Sequence, residues 1–314
     1  MINPIILAGA FLGWGLGAND SANIFGTAVY SKVIKYSTAV IITAIFVVLG
    51  AVINGGSGIS HIADYAFDGG IITERAAFIV MLAGAITVMA MTILRLPVST
   101  SQAVIGAIIG GGLLSGDADL GATVKFFGAW FLTPVGGMAI AYCLYKLTKV
   151  TIEDRLTSFK FYENFVKIGY IVAGAFGAYS LGANNVANVT GIFTGRLNVL
   201  TNQQAVLIGG LSIAVGALTY SKPVMSTVGE RIVAMSSVAG LIVVISASMT
   251  VYIYAVIGIP VSSSQAVIGA IIGIGLTAGV DTINLRMLRN VLLGWFATPT
   301  VACFVSLVLI YFFS

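Results

Sequence analysis

The sequence predicts an all-α integral membrane protein made of two inverted-topology repeats of about five apolar segments each, with broken or re-entrant helices at the midplane. Three observations carry this. Of 314 residues, 58% are hydrophobic and only 8% are charged, against about 25% charged in a soluble domain, so the chain cannot cover a water-facing surface. Apolar runs such as Ser37 to Ile53 and Ala239 to Ile259 approach or reach the roughly 20 residues a helix needs to cross a bilayer. The motifs of the first half also return, in order, in the second.

Ten apolar segments are predicted, at 4–30, 36–57, 76–95, 97–114, 122–148, 164–194, 203–220, 231–257, 260–279 and 287–313. The first lacks a basic n-region and leads straight into polar Gly17-Ala-Asn-Asp, so it reads as a span rather than a cleaved leader. The longest charged break, Thr148 to Lys167, sits at the midpoint. It divides the chain into a first half at 1–150, a cytoplasmic linker at 151–163 and a second half at 164–314.

The duplication rests on three landmarks. Leu16 to Asn23 (LGANDSAN) recurs 165 residues on as Leu181 to Asn188 (LGANNVAN), and Trp130 to Pro134 (WFLTP) recurs at the same offset as Trp295 to Pro299 (WFATP). Leu96 to Leu113 matches Ile259 to Leu276 at fifteen of eighteen positions. An odd number of crossings per half makes the second half enter the membrane from the opposite side. With both termini outside, twelve of the fifteen Lys and Arg fall in cytoplasmic breaks, the bias expected of a multi-pass protein of the cell membrane.

Each Pro-Val-Ser cluster stands at the front of an apolar segment. Proline is tolerated at a helix start because its missing N–H has no helical partner there, and the hydroxyls after it lie beside free backbone N–H groups. Ser99, Thr100, Ser101 and Gln102, repeated as Ser262, Ser263, Ser264 and Gln265, therefore offer donors and the positive end of a helix dipole. That is an anion site built without lysine or arginine.

Asn19, Asp20 and Asn23, with Asn184, Asn185 and Asn188, fall within apolar segments. Amides and a carboxylate there must find partners or cost several kcal/mol each. Gly17 and Gly182 beside them predict a break in each helix, which would expose carbonyl oxygens. Asp20 is the one acid deep in a predicted span. Carboxylate, amide and hydroxyl oxygens together suit a hard cation. Anion ligands and cation ligands in the same repeats predict symport, the ion offsetting the charge of the anion.

The remaining polar residues carry less. His61, with Asp64 and Asp68, is read as a solvated loop histidine; Trp130 and Trp295 as anchors or kinks; Trp14 as packing; and Cys143 and Cys303 as small buried hydrophobes. No basic run interleaved with aromatics points to nucleic acid.

At these motifs the chain resembles the inorganic phosphate transporter (PiT) family of sodium- or proton-coupled phosphate carriers. The resemblance covers essentially the whole chain and rests on Gly17 to Val29, Gly182 to Gly191 and the two Pro-Val-Ser clusters. It implies a phosphate site between inverted halves, with phosphate on Ser99, Thr100, Ser101, Gln102, Ser262, Ser263, Ser264 and Gln265. Asp20 would serve phosphate or sodium, with Asn19, Asn23, Asn184, Asn185 and Asn188 on the sodium side. Sodium is then a co-transported ion, no organic cofactor is required, and a homodimer in the lipid bilayer is implied. Family members often carry an acid in both signatures, whereas here Asn185 stands opposite Asp20. The large hydrophilic loop of some animal members is absent.

The expected function is phosphate import by cation symport, with sodium ahead of protons and alternating access around the midplane site. A proton-coupled phosphate permease, a sulfate permease and an anion channel remain open. An enzyme acting on phosphate esters would need a positioned acid–base set, and the core holds neither a histidine nor a second acid.

Overall fold

The structure is a computed structural model that describes residues 3–93, 98–118, 120–148, 159–225, 236–278 and 285–313. Among these the protein is all-helical. The first half holds α1 (Ile6–Tyr30), α2 (Tyr36–Asn54), α3 (Gly56–Asp68), α4 (Glu74–Ile93), α5 (Thr100–Ser115) and α6 (Leu120–Thr148). The second holds α7 (Phe159–Thr190), two short 3-10 turns (Gly191–Phe193 and Gly195–Leu197), α8 (Asn202–Tyr220), α9 (Ser237–Ile257), α10 (Ser263–Ala278) and α11 (Leu285–Phe313). The linker expected over 151–163 lies mostly outside the described residues, and α7 already begins at Phe159.

Among the described residues, seven helices are long and apolar enough to cross a membrane, namely α2, α4, α6, α7, α8, α9 and α11. Two of the ten expected segments become α5 and α10, each of 16 residues. At 1.5 Å per residue each spans about 24 Å, short of a ~30 Å hydrocarbon core.

Two expectations of where helices run are corrected. The stretch around His61 is the amphipathic helix α3, not a solvated loop. Ile59, Ile62, Ala63 and Ala66 recur at helical spacing and are all buried, so the pattern was present but diluted by polar neighbours. Nor does either helix break at its Gly-Ala-Asn motif: α1 and α7 run through Gly17 and Gly182 without interruption.

The reason is the packing. A Cβ on Gly17 would strike the backbone of Ile213 in α8, and one on Gly182 the backbone of Val47 in α2. Gly216 meets Trp14 and Gly50 meets Tyr179 in the same manner, so α1–α8 and α2–α7 cross with backbones in contact. The α5–α11 pair closes on Gly106 and Gly110 against Pro299 and Cys303, and α6–α10 on Gly269 and Gly273 against Pro134 and Met138. These glycines are required because helices joined by small residues pack backbone to backbone, which suits a medium where apolar burial alone does not drive association.

Packing partners exchange between the halves throughout. α1 packs on α8 as α7 packs on α2, α5 on α11 as α10 on α6, and α1 on α4 as α7 on α9. The halves interlock along the first two sets of pairs, and the third repeats the same packing within each half. Thr133 and Thr298, each preceding the proline inside its helix, donate to the carbonyl four residues back at 2.7 Å. Trp130 is buried rather than placed as a surface anchor, and Cys143 lies on an exposed face. Trp14 donates from Nε1 to Thr219 Oγ1 at 2.8 Å and stacks on Phe11.

The crossings give a direct test. Gly216→Leu forces a side chain into the Trp14 backbone, and overpacking of that kind costs about 1–3 kcal/mol or more. The expected outcome is a clear drop in thermal unfolding temperature of the detergent-solubilised protein. Gly128→Leu, at a position with open space around it, is expected to melt with the unchanged protein.

Candidate functional site

The two serine clusters lie at helix starts deep in the protein. Ser99 caps α5, its Oγ accepting the Gln102 N–H at 3.4 Å. Ser262 Oγ accepts the Gln265 N–H ahead of α10 at 3.3 Å. Capping by serine uses one first-turn donor and leaves those of the first two helical residues without a helical partner. The proline is therefore not the first helical residue that the sequence suggests: Pro260 stands three residues before α10, and its counterpart Pro97, with Arg95, lies outside the described residues. The serine wins the cap position because it satisfies a donor that proline cannot.

The two starts face one another. Ser101 Oγ donates to the Val261 carbonyl at 3.1 Å, and Ser264 Oγ donates to the Val98 carbonyl at 3.4 Å, the same contact with the halves exchanged. Ser262 and Ser264 share a hydrogen bond at 2.9 Å. Ser99, Thr100, Ser101, Gln102, Ser262 and Gln265 are buried, while Ser263 and Ser264 are half-buried.

Helices α1 and α7 pass beside these starts and bring their motifs to them. From α7, Asn188 Nδ2 donates to Ser101 Oγ at 2.9 Å and to Asn185 Oδ1 at 3.1 Å. Asn184 grips the Val261 backbone from both sides, with Nδ2 donating to its carbonyl at 2.8 Å and Oδ1 accepting its N–H at 3.2 Å. From α1, Asp20 Oδ2 accepts from Ser263 Oγ at 2.9 Å, and Asn23 Nδ2 donates to the same hydroxyl at 3.2 Å. A small cavity opens beside this pair, lined by Asn23, Ser263, Ser248, Gly177, Leu181 and Val267.

The halves differ here. Asn19, the counterpart of Asn184, turns away from the helix starts and donates to Thr92 on α4 at 3.1 Å. Asp20 and Asn23 thus gather around Ser263, Asn188 links Ser101 to Asn185, Asn184 is engaged at both ends of its amide, and Asn19 stands apart. The backbone of Val261, which sequence reasoning missed although it lies inside the Pro-Val-Ser motif, joins the second group to the α10 start.

Two features leave the cluster with unmet hydrogen-bonding capacity and unpaired charge. Thr100 Oγ1, Gln102 Oε1, Gln265 Oε1 and Asn188 Oδ1 are buried without hydrogen-bond partners, each costing about 1–3 kcal/mol unless a partner arrives. Asp20 is 4% exposed, and the one salt bridge among the described residues is the exposed pair Arg196–Asp68. A buried carboxylate with no cationic side chain must have its charge answered by the helix-start dipoles, a proton or a bound cation.

This duplicated pair of capped helix starts, flanked by Asn- and Asp-bearing helices, agrees with the sequence comparison. The phosphate transporter family matches residues 16–306. The chain belongs to this family. Family members are transporters, so the protein is not an enzyme, and with its seven long apolar helices it is a multi-pass membrane protein. A protein of Thermococcus kodakarensis named as a phosphate permease is 28% identical, with 96% of this chain and 95% of that one aligned. One from Methanocaldococcus jannaschii, named likewise, is 28% identical over 98% and 96%. The sulfate permease CysP of Bacillus subtilis is 30% identical over 98% of this chain and 87% of its own. A solved structure, described as a sodium-dependent phosphate transporter, superposes with a TM-score of 0.84 at 21% identity, covering 98% of this chain and 97% of that one, and shares the family fold.

The Asp20 environment predicts a stability effect. Asp20→Asn keeps an oxygen that can accept from Ser263 and removes a buried carboxylate that no basic side chain pairs, so the variant is expected to be at least as stable as the unchanged protein in buffer free of sodium. Urea or thermal unfolding in sodium-free detergent solution measures it. An Asp20→Asn protein clearly less stable there would show that its charge is already balanced within the fold.

Proposed function

We propose that the protein imports inorganic phosphate by cation symport, with sodium as the coupled ion, through alternating access around the paired starts of α5 and α10. The observation that carries this reading is Asp20, a buried carboxylate without a basic partner, hydrogen-bonded to a first-turn residue of one of the two facing helix starts. The phosphate would lie on Ser99, Thr100, Ser101, Gln102, Ser262, Ser263, Ser264 and Gln265, where unpaired first-turn N–H groups and dipoles supply positive potential. Sodium would be held by oxygens of Asp20, Asn23, Asn185 and Asn188. Asn184, tied at both ends, and Asn19, bonded to Thr92, serve as supports in this reading.

The exchange of packing partners between the halves supports an inverted repeat, with both termini outside the cell membrane as the basic residues favour. The sodium dependence for which the solved relative is named supports the choice of ion. A second reading, sulfate as the anion, is favoured by the 30% identity to the sulfate permease. The two anions share shape and size, but a protonated phosphate can donate hydrogen bonds and sulfate at neutral pH cannot. The unpartnered oxygens of Gln102 and Gln265 are acceptors, which puts phosphate ahead.

Radiolabelled phosphate uptake into proteoliposomes under inward sodium, potassium or proton gradients tests the proposal. Sodium alone is expected to drive accumulation, and Asp20→Asn to lower it about a hundredfold, the upper range of a two-site coupling. Accumulation that follows the proton gradient would replace the ion. Uptake of sulfate in preference to phosphate would replace the anion, and flux without accumulation would replace the symporter by a channel.

A further inference from the structure

Helix α9 ends at Ile257 and turns at Gly258, whose φ of +86° places it in the left-handed region. Its N–H folds back onto the Tyr254 and Ala255 carbonyls, and the Ile259 N–H follows onto Tyr254, the arrangement that closes a helix and sends the next carbonyl outward. That outward carbonyl meets His61 Nδ1 of α3 at 2.8 Å. Because a carbonyl only accepts, the proton is on Nδ1. One turn earlier on α3, Ser57 Oγ donates to the Ala255 carbonyl at 3.1 Å. The fit is close, since a Cβ on Gly258 would run into Nδ1 and Cε1 of the same ring.

Helix α3 is itself firmly seated. Ile59 and Ile62 lie against Gly191 just past the end of α7, Gly58 lies against Ala187, and Asp68 pairs with Arg196. It therefore bridges the end of the Asn-bearing helix and the end of α9. Only two residues separate Gly258 from Val261, whose backbone holds both Ser101 and Asn184, and Ser262 follows as the cap of α10. With His61 exposed and outside the anion-binding cluster, its defined contact is with this turn.

We propose that His61 is a positioning residue for transport: its hydrogen bond to Gly258 fixes the 258–262 turn, and so sets where Val261 and Ser262 hold the start of α10 against that of α5. This rests on the transport reading above. The imidazole binds no substrate. Losing it lets the turn shift and loosens the anion site, while the helices stay packed by their glycine crossings.

The test is initial-rate phosphate uptake into proteoliposomes over a range of phosphate concentrations, with rates normalised to reconstituted protein, for wild type, His61→Ala and His61→Asn. His61→Ala is expected to raise KM about fivefold, the loss associated with one hydrogen bond of ordinary strength, with Vmax within about twofold. Asparagine carries a donor amide in the place of Nδ1, so His61→Asn is expected to return KM to about the wild-type value. An unchanged KM in His61→Ala, a loss confined to Vmax, or an asparagine variant no better than alanine would overturn the proposal. If wild type saturates normally and the variants share its KM, only the role of His61 falls. If wild type moves neither labelled phosphate nor labelled sulfate, the transport reading falls and this inference with it.

Discussion

The backbone of Val261 is the joint on which the two halves meet. Its carbonyl accepts Ser101 from the start of α5 and Asn184 from α7, and its N–H donates to the same Asn184. In an interior with no water to replace a lost bond, a peptide group paired this fully is costly to release. It brings a helix start of one half, a helix start of the other and a polar helix into one place. Loosen it and Ser101, Asn188 and the α10 cap all lose their reference.

A polar cluster held so tightly can only form if the helices carrying it approach closely, and the glycine crossings provide that. Gly17 and Gly182 sit one residue from the polar motifs they were expected to break, and instead let α1 and α7 lie against α8 and α2. The backbone contacts are nearly symmetric between halves, whereas the polar contacts are not. Asn184 clamps Val261 while its counterpart Asn19 bonds Thr92, and Asp20 has Asn185 as its counterpart in the repeat. Symmetry is kept where packing dictates shape and given up where one charge is enough.

Much of this was legible in the sequence because it is written in period and repetition. Composition set the membrane class, equal offsets revealed the duplication, and the hydroxyl clusters pointed to the helix starts that the structure brings face to face. What could not be read was local competition. Whether a glycine beside an asparagine breaks a helix or lets a neighbour in depends on the facing backbone, which no local pattern contains. Whether proline or serine takes the first position of α10 turns on a single hydrogen bond. Helix α3 was hidden because only four buried aliphatic positions mark it, Ile59, Ile62, Ala63 and Ala66, and the grip of Asn184 on Val261 joins residues 77 apart in the chain.

Charge counting then links the geometry to coupling. Each free helix start contributes about half a positive charge, so the facing starts of α5 and α10 supply about one between them. Asp20 contributes one negative charge and, on the proposed reading, a singly charged phosphate contributes another, leaving the site about one charge short of neutral. No lysine or arginine among the described residues pairs with Asp20 to make up the difference. At low dielectric a net charge of that size is strongly unfavourable, so on the proposed reading an anion would enter well only when at least one monovalent cation enters with it, and a doubly charged phosphate would require two. Replacing the second acid by Asn185 removes the negative charge that a further cation would answer. On the proposed reading, the same difference that breaks the symmetry of the site would thereby lower the number of cations needed to neutralise each anion.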